Sequence, residues 1–287
     1  MKKLVSYKGI KTGIGLATNC YKQVLEKQEI SLKDLIIQAA ERGFSWVEVR
    51  DPEVMMSIET LKTIKKIADS YQIRIHYSWD NGNVFEEDER FYEGMRRAVM
   101  FGKGTCCRVL IAAQAIAGKK GYSEEEMNKI IHVLKLYIKT AKELEIFLCF
   151  ENSMEPIKGD GKTYFGMEDI LLRLPEMSVT FDAANFTTET TVINPMEAEL
   201  ISYYQKFSKR IFYYHMKQTR NHKLIPALED HADFDVIKLM KMFAKTNPDT
   251  WVCLEIPQQK DLNRMNEMVE KSILYLERKN KDEDGRA

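Results

Sequence analysis

Strand and helix patterns alternate about eight times along the sequence, which predicts an α/β fold, a single (β/α)8 barrel. The spacing of roughly 30–40 residues between successive strands fits one strand, one helix and two loops. A chain of 287 residues is long enough for one such barrel. No G-x-G-x-x-G motif follows the first strand, which disfavours the runner-up architecture, an open doubly wound sheet that binds a dinucleotide.

The strands are predicted from short apolar runs enriched in β-branched and aromatic residues. Glycines weaken the first of them, whereas the fifth, Phe147-Leu148-Cys149-Phe150, has the composition of a fully buried strand. In chain order the predicted strands are 12–18, 44–50, 73–77, 108–113, 147–150, 179–181, 211–214 and 251–254.

Helices are predicted where apolar residues recur at helical spacing after a capping residue. Ser31 and Gly43 bracket the first helix. A capping box over 123–126 begins the fourth helix, and Asn194-Pro195 begins the sixth. The other helices are predicted at 58–68, about 87–101, 167–174, from about 233 onward, and 262–276.

Composition limits the classes of function that the chain can have. Its 43 basic and 43 acidic residues balance, which disfavours a nucleic-acid-binding protein. Five cysteines without C-x-x-C spacing indicate a reduced, cytoplasmic protein. No apolar run reaches the ~18 residues of a membrane span. Residues 1–280 are predicted to form one domain, with a charged, disordered tail at 281–287.

Four consecutive predicted strands end in a residue that can bind a metal ion: Glu151, Asp182, His215 and Glu255. One acid at a strand end is more often a helix cap or a salt-bridge partner. Four in succession at the mouth of a barrel favour one common site, because a bare buried charge is very costly. Three carboxylates and one imidazole suit Mn²⁺, Mg²⁺ or Co²⁺ better than a structural zinc.

The motifs at these strand ends are F-E-N at 150–152, F-D-A-A-N at 181–185, H-M-K at 215–217 and L-E-I-P at 254–257, with V-E-V-R-D at 47–51 upstream. In this order they resemble the xylose-isomerase-like TIM-barrel superfamily, which includes sugar isomerases, ketose 3-epimerases, inosose dehydratases and endonuclease IV repair enzymes. The resemblance runs from the second strand to the last helix. It implies a metal-dependent enzyme of carbohydrate metabolism.

The resemblance implies that the four strand-end residues bind one divalent ion, Mn²⁺ before Mg²⁺, Co²⁺ or Zn²⁺. Glu151 and Glu255 would also be catalytic and would transfer a proton through an enediolate of an α-hydroxy carbonyl substrate. Lys217 would contact a substrate oxygen. His76, Trp79, Glu48, Arg50 and Asn185 are the other candidates for binding substrate. The epimerases carry a His at the position of Asn185, and an amide can orient a hydroxyl but cannot shuttle a proton.

The function predicted first is a sugar or sugar-phosphate isomerase or epimerase. An inosose-dehydratase-like lyase is the alternative within the same group. A non-catalytic sugar-binding barrel is the alternative from another class. Endonuclease IV-like hydrolysis is disfavoured because the five histidines are too few for a His-rich zinc set. A homo-oligomer and a lid formed by residues 218–232 are left open.

Overall fold

The computed structural model describes residues 4–80, 84–102, 106–110, 121–152, 156–188 and 197–283. The strands in these ranges are β1 (Ile14–Ala17), β2 (Trp46–Arg50), β3 (Arg74–Asp80), β4 (Cys106–Leu110), β5 (Phe147–Glu151), β6 (Ser178–Asp182), β7 (Ile211–Met216), β8 (Thr219–Arg220), β9 (Lys223–Leu224) and β10 (Trp251–Leu254). The hydrogen-bonded order β1-β10-β7-β6-β5-β4-β3-β2 closes as a barrel, and β8 pairs with β9 as a separate antiparallel hairpin. The predicted α/β barrel is therefore confirmed.

Helices connect the barrel strands in the described ranges. They are α1 (Lys22–Glu26), α2 (Leu32–Arg42), α3 (Ile58–Tyr71), α4 (Glu89–Ala98), α5 (Glu124–Glu143), α6 (Met167–Arg173), α7 (Ala183–Thr187), α8 (Glu197–Phe207), α9 (Val236–Thr246) and α10 (Leu262–Glu283). Short 3₁₀ turns add Thr18–Tyr21, Val99–Phe101 and Ser208–Arg210. No helix within the described ranges combines the length and the apolar character needed to span a bilayer.

Helix ends follow the predicted capping chemistry. Ser31 accepts the backbone N–H of Asp34 at the start of α2, and Gly43 ends that helix at φ 91°. The reciprocal capping box of Ser123 and Glu126 begins α5. The predicted start of the sixth helix at 194–195 lies outside the described residues. Helix α10 continues to Glu283, three residues into the segment predicted as a disordered tail.

Contacts between Cα atoms group the chain into two compact units. The first unit comprises Met1–Arg50, Ser57–His76 and Tyr214–Ala287, and in it β1 pairs in parallel with both β10 and β2. The second comprises Asp51–Met56 and Tyr77–Tyr213, and in it β3, β4, β5 and β6 pair in sequence. That residues 1–280 form a single domain stays a prediction.

In the first unit, Gly15 lies opposite Trp46 in the pairing of β1 with β2. A Cβ atom at Gly15 would lie 2.2–2.4 Å from three atoms of the indole ring. The same indole stacks on the imidazole of His76, with ring centroids 4.4 Å apart. Gly15 therefore provides the space that the buried indole occupies.

Replacing Gly15 by Ala should lower the free energy of unfolding by about 1–3 kcal/mol, the usual cost of overpacking a core. Urea unfolding of Gly15→Ala, Trp46→Leu and the double variant forms a cycle that isolates the contact. Because Leu removes the ring that the new methyl group would meet, the Ala substitution should cost less in the Leu background. Equal costs in both backgrounds would refute the steric explanation.

Candidate metal centre

In the first unit, His215 lies in β7 between two carboxylates. Its Nε2 atom is 3.0 Å from Glu48 Oε2, and its Nδ1 atom is 3.0 Å from Glu255 Oε2. Glu48 comes from β2, and Glu255 follows β10 directly. All three residues are at most 2% exposed. Each ring nitrogen of His215 thus faces a different buried carboxylate.

This arrangement changes the acidity of the imidazole. Burial alone lowers the pKa of His215, but the carboxylates of Glu255 and Glu48 outweigh it and raise that pKa to about 10. Without a bound cation, His215 is therefore an imidazolium ion that bridges two carboxylates. A metal ion bound at Nδ1 must displace the proton on that atom, since only the neutral ring nitrogen is a ligand.

Glu255 is held by donors on both of its oxygens. The amide of Asn19 donates to Oε1 at 2.9 Å, and the ammonium of Lys217 donates to Oε2 at 3.2 Å. Burial raises the pKa of the Glu255 carboxyl, but Lys217 and His215, with Arg50, bring it well below its ordinary value. Glu255 is therefore ionised at neutral pH.

In the second unit, Glu151 and Asp182 are the last residues of neighbouring strands β5 and β6, and both are fully buried. The side chain of Asn152 fixes the end of β6 against the end of β5. Its Nδ2 donates to the carbonyl of Asp182 at 2.7 Å, and its Oδ1 accepts the backbone N–H of the same residue at 2.8 Å. One amide thus satisfies both backbone groups of Asp182.

Asn185, in α7, connects the same two carboxylates. Its backbone N–H donates to Asp182 Oδ1 at 3.1 Å, so Asp182 also caps the helix. Its side-chain Nδ2 donates to Glu151 Oε1 at 3.2 Å and to the carbonyl of Asn152 at 2.9 Å. The amide therefore orients the Glu151 carboxylate.

The predicted donor atoms in both units are carboxylate oxygens and one imidazole. In the first unit, Glu48, His215 and Cys253 lie close enough together to hold a metal ion, and His215 also faces Glu255. In the second, Glu151 and Asp182 present two carboxylates at adjacent strand ends. Oxygen with imidazole suits Mn²⁺, Mg²⁺, Co²⁺ or Zn²⁺.

Residues 36–279 match the family described as xylose isomerase-like TIM barrel, which is more than half of the chain. The chain belongs to the xylose isomerase-like TIM-barrel family. No curated protein matches the sequence.

Three solved structures illustrate the fold of this family. A D-tagatose 3-epimerase-like protein is 14% identical over 93% of this chain and 98% of its own, with a TM-score of 0.65. A sugar phosphate isomerase/epimerase from Parabacteroides distasonis is 15% identical over 91% and 92%, with a TM-score of 0.66. D-allulose 3-epimerase from Methylomonas sp., in complex with D-allulose, is 12% identical over 96% and 99%, with a TM-score of 0.65.

Several residues predicted to bind substrate in this family member have protein partners in the structure. Lys217 contacts Glu255, Glu48 contacts His215, and Asn185 contacts Glu151. Arg50 ends β2, half-buried, and lowers the pKa of Glu255. Lys217 and Arg50 stay candidates for contacting substrate, because both are cations beside a buried carboxylate.

His76 and Trp79 lie among apolar and aromatic groups. His76 is 1% exposed between Trp46 and Trp251, the first residues of their strands, and burial lowers its pKa to about 3. Trp79 is buried against α4, where its indole meets Phe91, and a Cβ at Gly94 would lie 2.5 Å from the ring. Their assignment to substrate binding stays a prediction.

The sequence predicted no role for Asn19 or Asn152. Asn152 stands directly after the strand-end glutamate, so the F-E-N motif contained a usable signal. Asn19 carries no comparable signal, because its partner Glu255 is 236 residues away in the sequence. The predicted loop 218–232 contains the β8-β9 hairpin, and the carboxylate of Asp233 accepts two of its backbone N–H groups.

Replacing Asn152 by Asp should destabilise the protein, because a carboxylate cannot donate to the carbonyl of Asp182. Each buried polar group left unpaired costs about 1–3 kcal/mol, and that loss should appear in the free energy of unfolding. Urea unfolding of Asn152→Asp measures it.

Asn280 is the matched control for this substitution. At an exposed site it makes the same two bonds, with Nδ2 donating to the carbonyl of Ser6 and Oδ1 accepting the N–H of Lys8. Water can replace those bonds, so Asn280→Asp should cost much less. A comparable loss in the two variants would show that Asn152 does not hold the strand end.

Proposed function

We propose that this protein is a metal-dependent enzyme that isomerises or epimerises a sugar or sugar phosphate. The observation that carries the proposal is the placement of Glu151, Asp182, His215 and Glu255 at the ends of barrel strands, all of them buried. Ligand sites of (β/α)8 barrels are built at the carboxyl ends of the strands. The fold shared with sugar epimerases and isomerases supports the substrate class.

The same four side chains are the proposed ligands of one divalent ion, and Mn²⁺ is the ion we expect. These residues lie in or directly after four strands that are consecutive in the barrel order, β10-β7-β6-β5. The donor set fits such an ion, because buried carboxylates need a cation and three oxygens with one imidazole are borderline-hard ligands. A divalent ion held there would supply Lewis-acid polarisation of a substrate carbonyl.

Glu151 and Glu255 are the proposed proton-transferring residues. Glu255 is kept ionised beside Lys217, so it is ready to accept a proton. Glu151 receives an amide hydrogen bond from Asn185, which holds its carboxylate in one orientation. A correctly placed base typically accelerates such a transfer by about 10²–10⁴-fold. Return of the proton to the same carbon epimerises the sugar, and transfer to the adjacent carbon isomerises it.

Lys217 and Arg50 are proposed to bind substrate oxygens. Both are cations near Glu255, and an ammonium or guanidinium can donate to a hydroxyl, a carbonyl or a phosphate. Either group would stabilise negative charge that develops on the substrate when its C–H proton leaves.

Protein purified without chelator should contain about one divalent ion per chain, and the Asp182→Ala/His215→Ala variant should contain far less. Elemental analysis of the two proteins measures this. Once the bound metal has been removed, Mn²⁺ added to the metal-free wild-type protein should stabilise it by about 2.7 kcal/mol at a concentration 100 times Kd, because the ion binds only the folded state. The variant should show no such rise in melting temperature.

The control for this experiment is Glu168→Gln, which alters a buried acid paired with Lys206 at 2.5 Å in the second unit. It should keep the metal content and the Mn²⁺-dependent rise in melting temperature of the wild type. Equal metal content in the wild type and the Asp182/His215 variant would disprove the proposed ligand set.

Turnover in D₂O with Mn²⁺, screened over ketoses, ketose phosphates and inososes, should place deuterium on a carbon next to the carbonyl. NMR analysis of the products identifies that carbon. Glu151→Gln and Glu255→Gln should each abolish the exchange, because an amide cannot accept the proton, while Glu168→Gln should not. Near wild-type exchange in both Gln variants would contradict the two-glutamate mechanism.

The same screen tests a dehydratase-type lyase, the second candidate. Asn185 is the observation that favours a lyase. Its amide is hydrogen-bonded to Glu151 and cannot carry a proton, whereas a symmetrical epimerisation moves a proton on both faces of the sugar. A lyase would release water and give a product two hydrogens and one oxygen lighter. Tight binding of metal and sugar without turnover of any substrate would instead identify a non-catalytic sugar-binding protein.

A further inference from the structure

Glu48 is the buried carboxylate on the far side of His215 from Glu255. Its side chain is fully buried in β2, and its Oε2 atom lies 3.0 Å from Nε2 of the imidazole. Glu255, a proposed metal ligand, lies 3.0 Å from the other nitrogen, Nδ1. The two ring nitrogens therefore have different partners, one inside the proposed ligand set and one outside it.

The position of Glu48 in its strand is fixed by the barrel. Glu48 lies opposite Ala17 in the pairing of β1 with β2, and the backbone N–H of Arg50 donates to Thr18 Oγ1 at 2.9 Å. A strand held on this side has little freedom to turn or slide. The carboxylate consequently meets the imidazole from a rigid element, which is what accurate orientation of a ligand requires.

We propose that Glu48 is a positioning residue that accepts a hydrogen bond from Nε2–H of His215 and so directs Nδ1 to the metal ion. This inference rests on the proposed function, because it assumes that His215 is a ligand. It assigns Glu48 a role other than the substrate contact that the sequence suggested. A carboxylate behind a ligating histidine fixes the ring orientation and the tautomer and makes the ligand nitrogen more basic.

The proposal also explains why a carboxylate occupies a fully buried position in the strand. With a cation at Nδ1, the imidazole is neutral and keeps its remaining proton on Nε2. The carboxylate of Glu48 then accepts a hydrogen bond from an imidazole that is bound to a positive ion. Its negative charge is therefore not isolated in the core. An apolar residue at position 48 would leave the Nε2–H group without this acceptor.

Two substitutions separate the hydrogen bond from the charge. Glu48→Gln keeps an oxygen that can accept from Nε2–H but removes the charge, whereas Glu48→Leu removes both. Glu168→Gln, the buried glutamate paired with Lys206, is the matched control. Affinity for Mn²⁺ is measured by calorimetry on metal-free protein. The His215 tautomer is measured by nitrogen-15 NMR with Zn²⁺ as a diamagnetic probe, and its signals are assigned by their loss in His215→Gln.

In the wild type with Zn²⁺, the proton should be on Nε2 and the metal on Nδ1. Glu48→Leu should weaken Mn²⁺ binding by about 10–100-fold, the usual effect of removing such a partner. Glu48→Gln should keep the Nε2–H tautomer and lose less affinity, and Glu168→Gln should bind as the wild type does. If Glu48→Leu does not fold, reduced affinity with an unchanged tautomer in Glu48→Gln still supports the proposal.

The role of Glu48 would be overturned if Glu48→Gln and, where it folds, Glu48→Leu bound Mn²⁺ as tightly as the wild type. That result would not affect the proposed metal centre. A proton on Nδ1 in the Zn²⁺-loaded wild type would also overturn it. Absence of metal binding by the wild type itself would refute the metal centre, and the role of Glu48 with it. The three negative results are therefore distinguishable.

Discussion

The energy of burying charged side chains governs the arrangement around His215. An isolated ion in a protein interior costs several kcal/mol even after relaxation, so each buried charge needs a partner. His215 lies 3.0 Å from a carboxylate on each side, and Lys217 lies 3.2 Å from Glu255. Protonation of the imidazole satisfies this requirement in the metal-free protein. A divalent cation in place of that proton would satisfy it in the enzyme that we propose.

Side-chain amides hold the proposed ligands in position. Asn19 donates to Glu255, Asn185 donates to Glu151, and Asn152 binds both backbone groups of Asp182. An amide carries no charge, so it can orient a buried carboxylate without adding to the electrostatic cost. The amides that fix the carboxylates are therefore neutral.

The sequence predicted the barrel and the strand ends because both follow from local patterns. Apolar runs mark the strands, and a polar residue directly after a run must lie at its end. The environments of His76 and Trp79 were harder to predict, because they depend on which residues of other elements pack against these side chains. His76 meets Trp251, 175 residues further along the chain, and no local pattern reveals that contact. The partner of Glu48 is 167 residues away and was inaccessible for the same reason.

Binding of one divalent ion by Glu151, Asp182, His215 and Glu255 is a proposal. A crystal structure of the protein grown with Mn²⁺, with anomalous diffraction recorded for manganese, tests that claim most directly. The account predicts one strong anomalous peak bonded to Glu151, Asp182, Glu255 and Nδ1 of His215. A peak within bonding distance of other residues would contradict this account. So would the absence of a peak while these four side chains stay paired with protein groups alone.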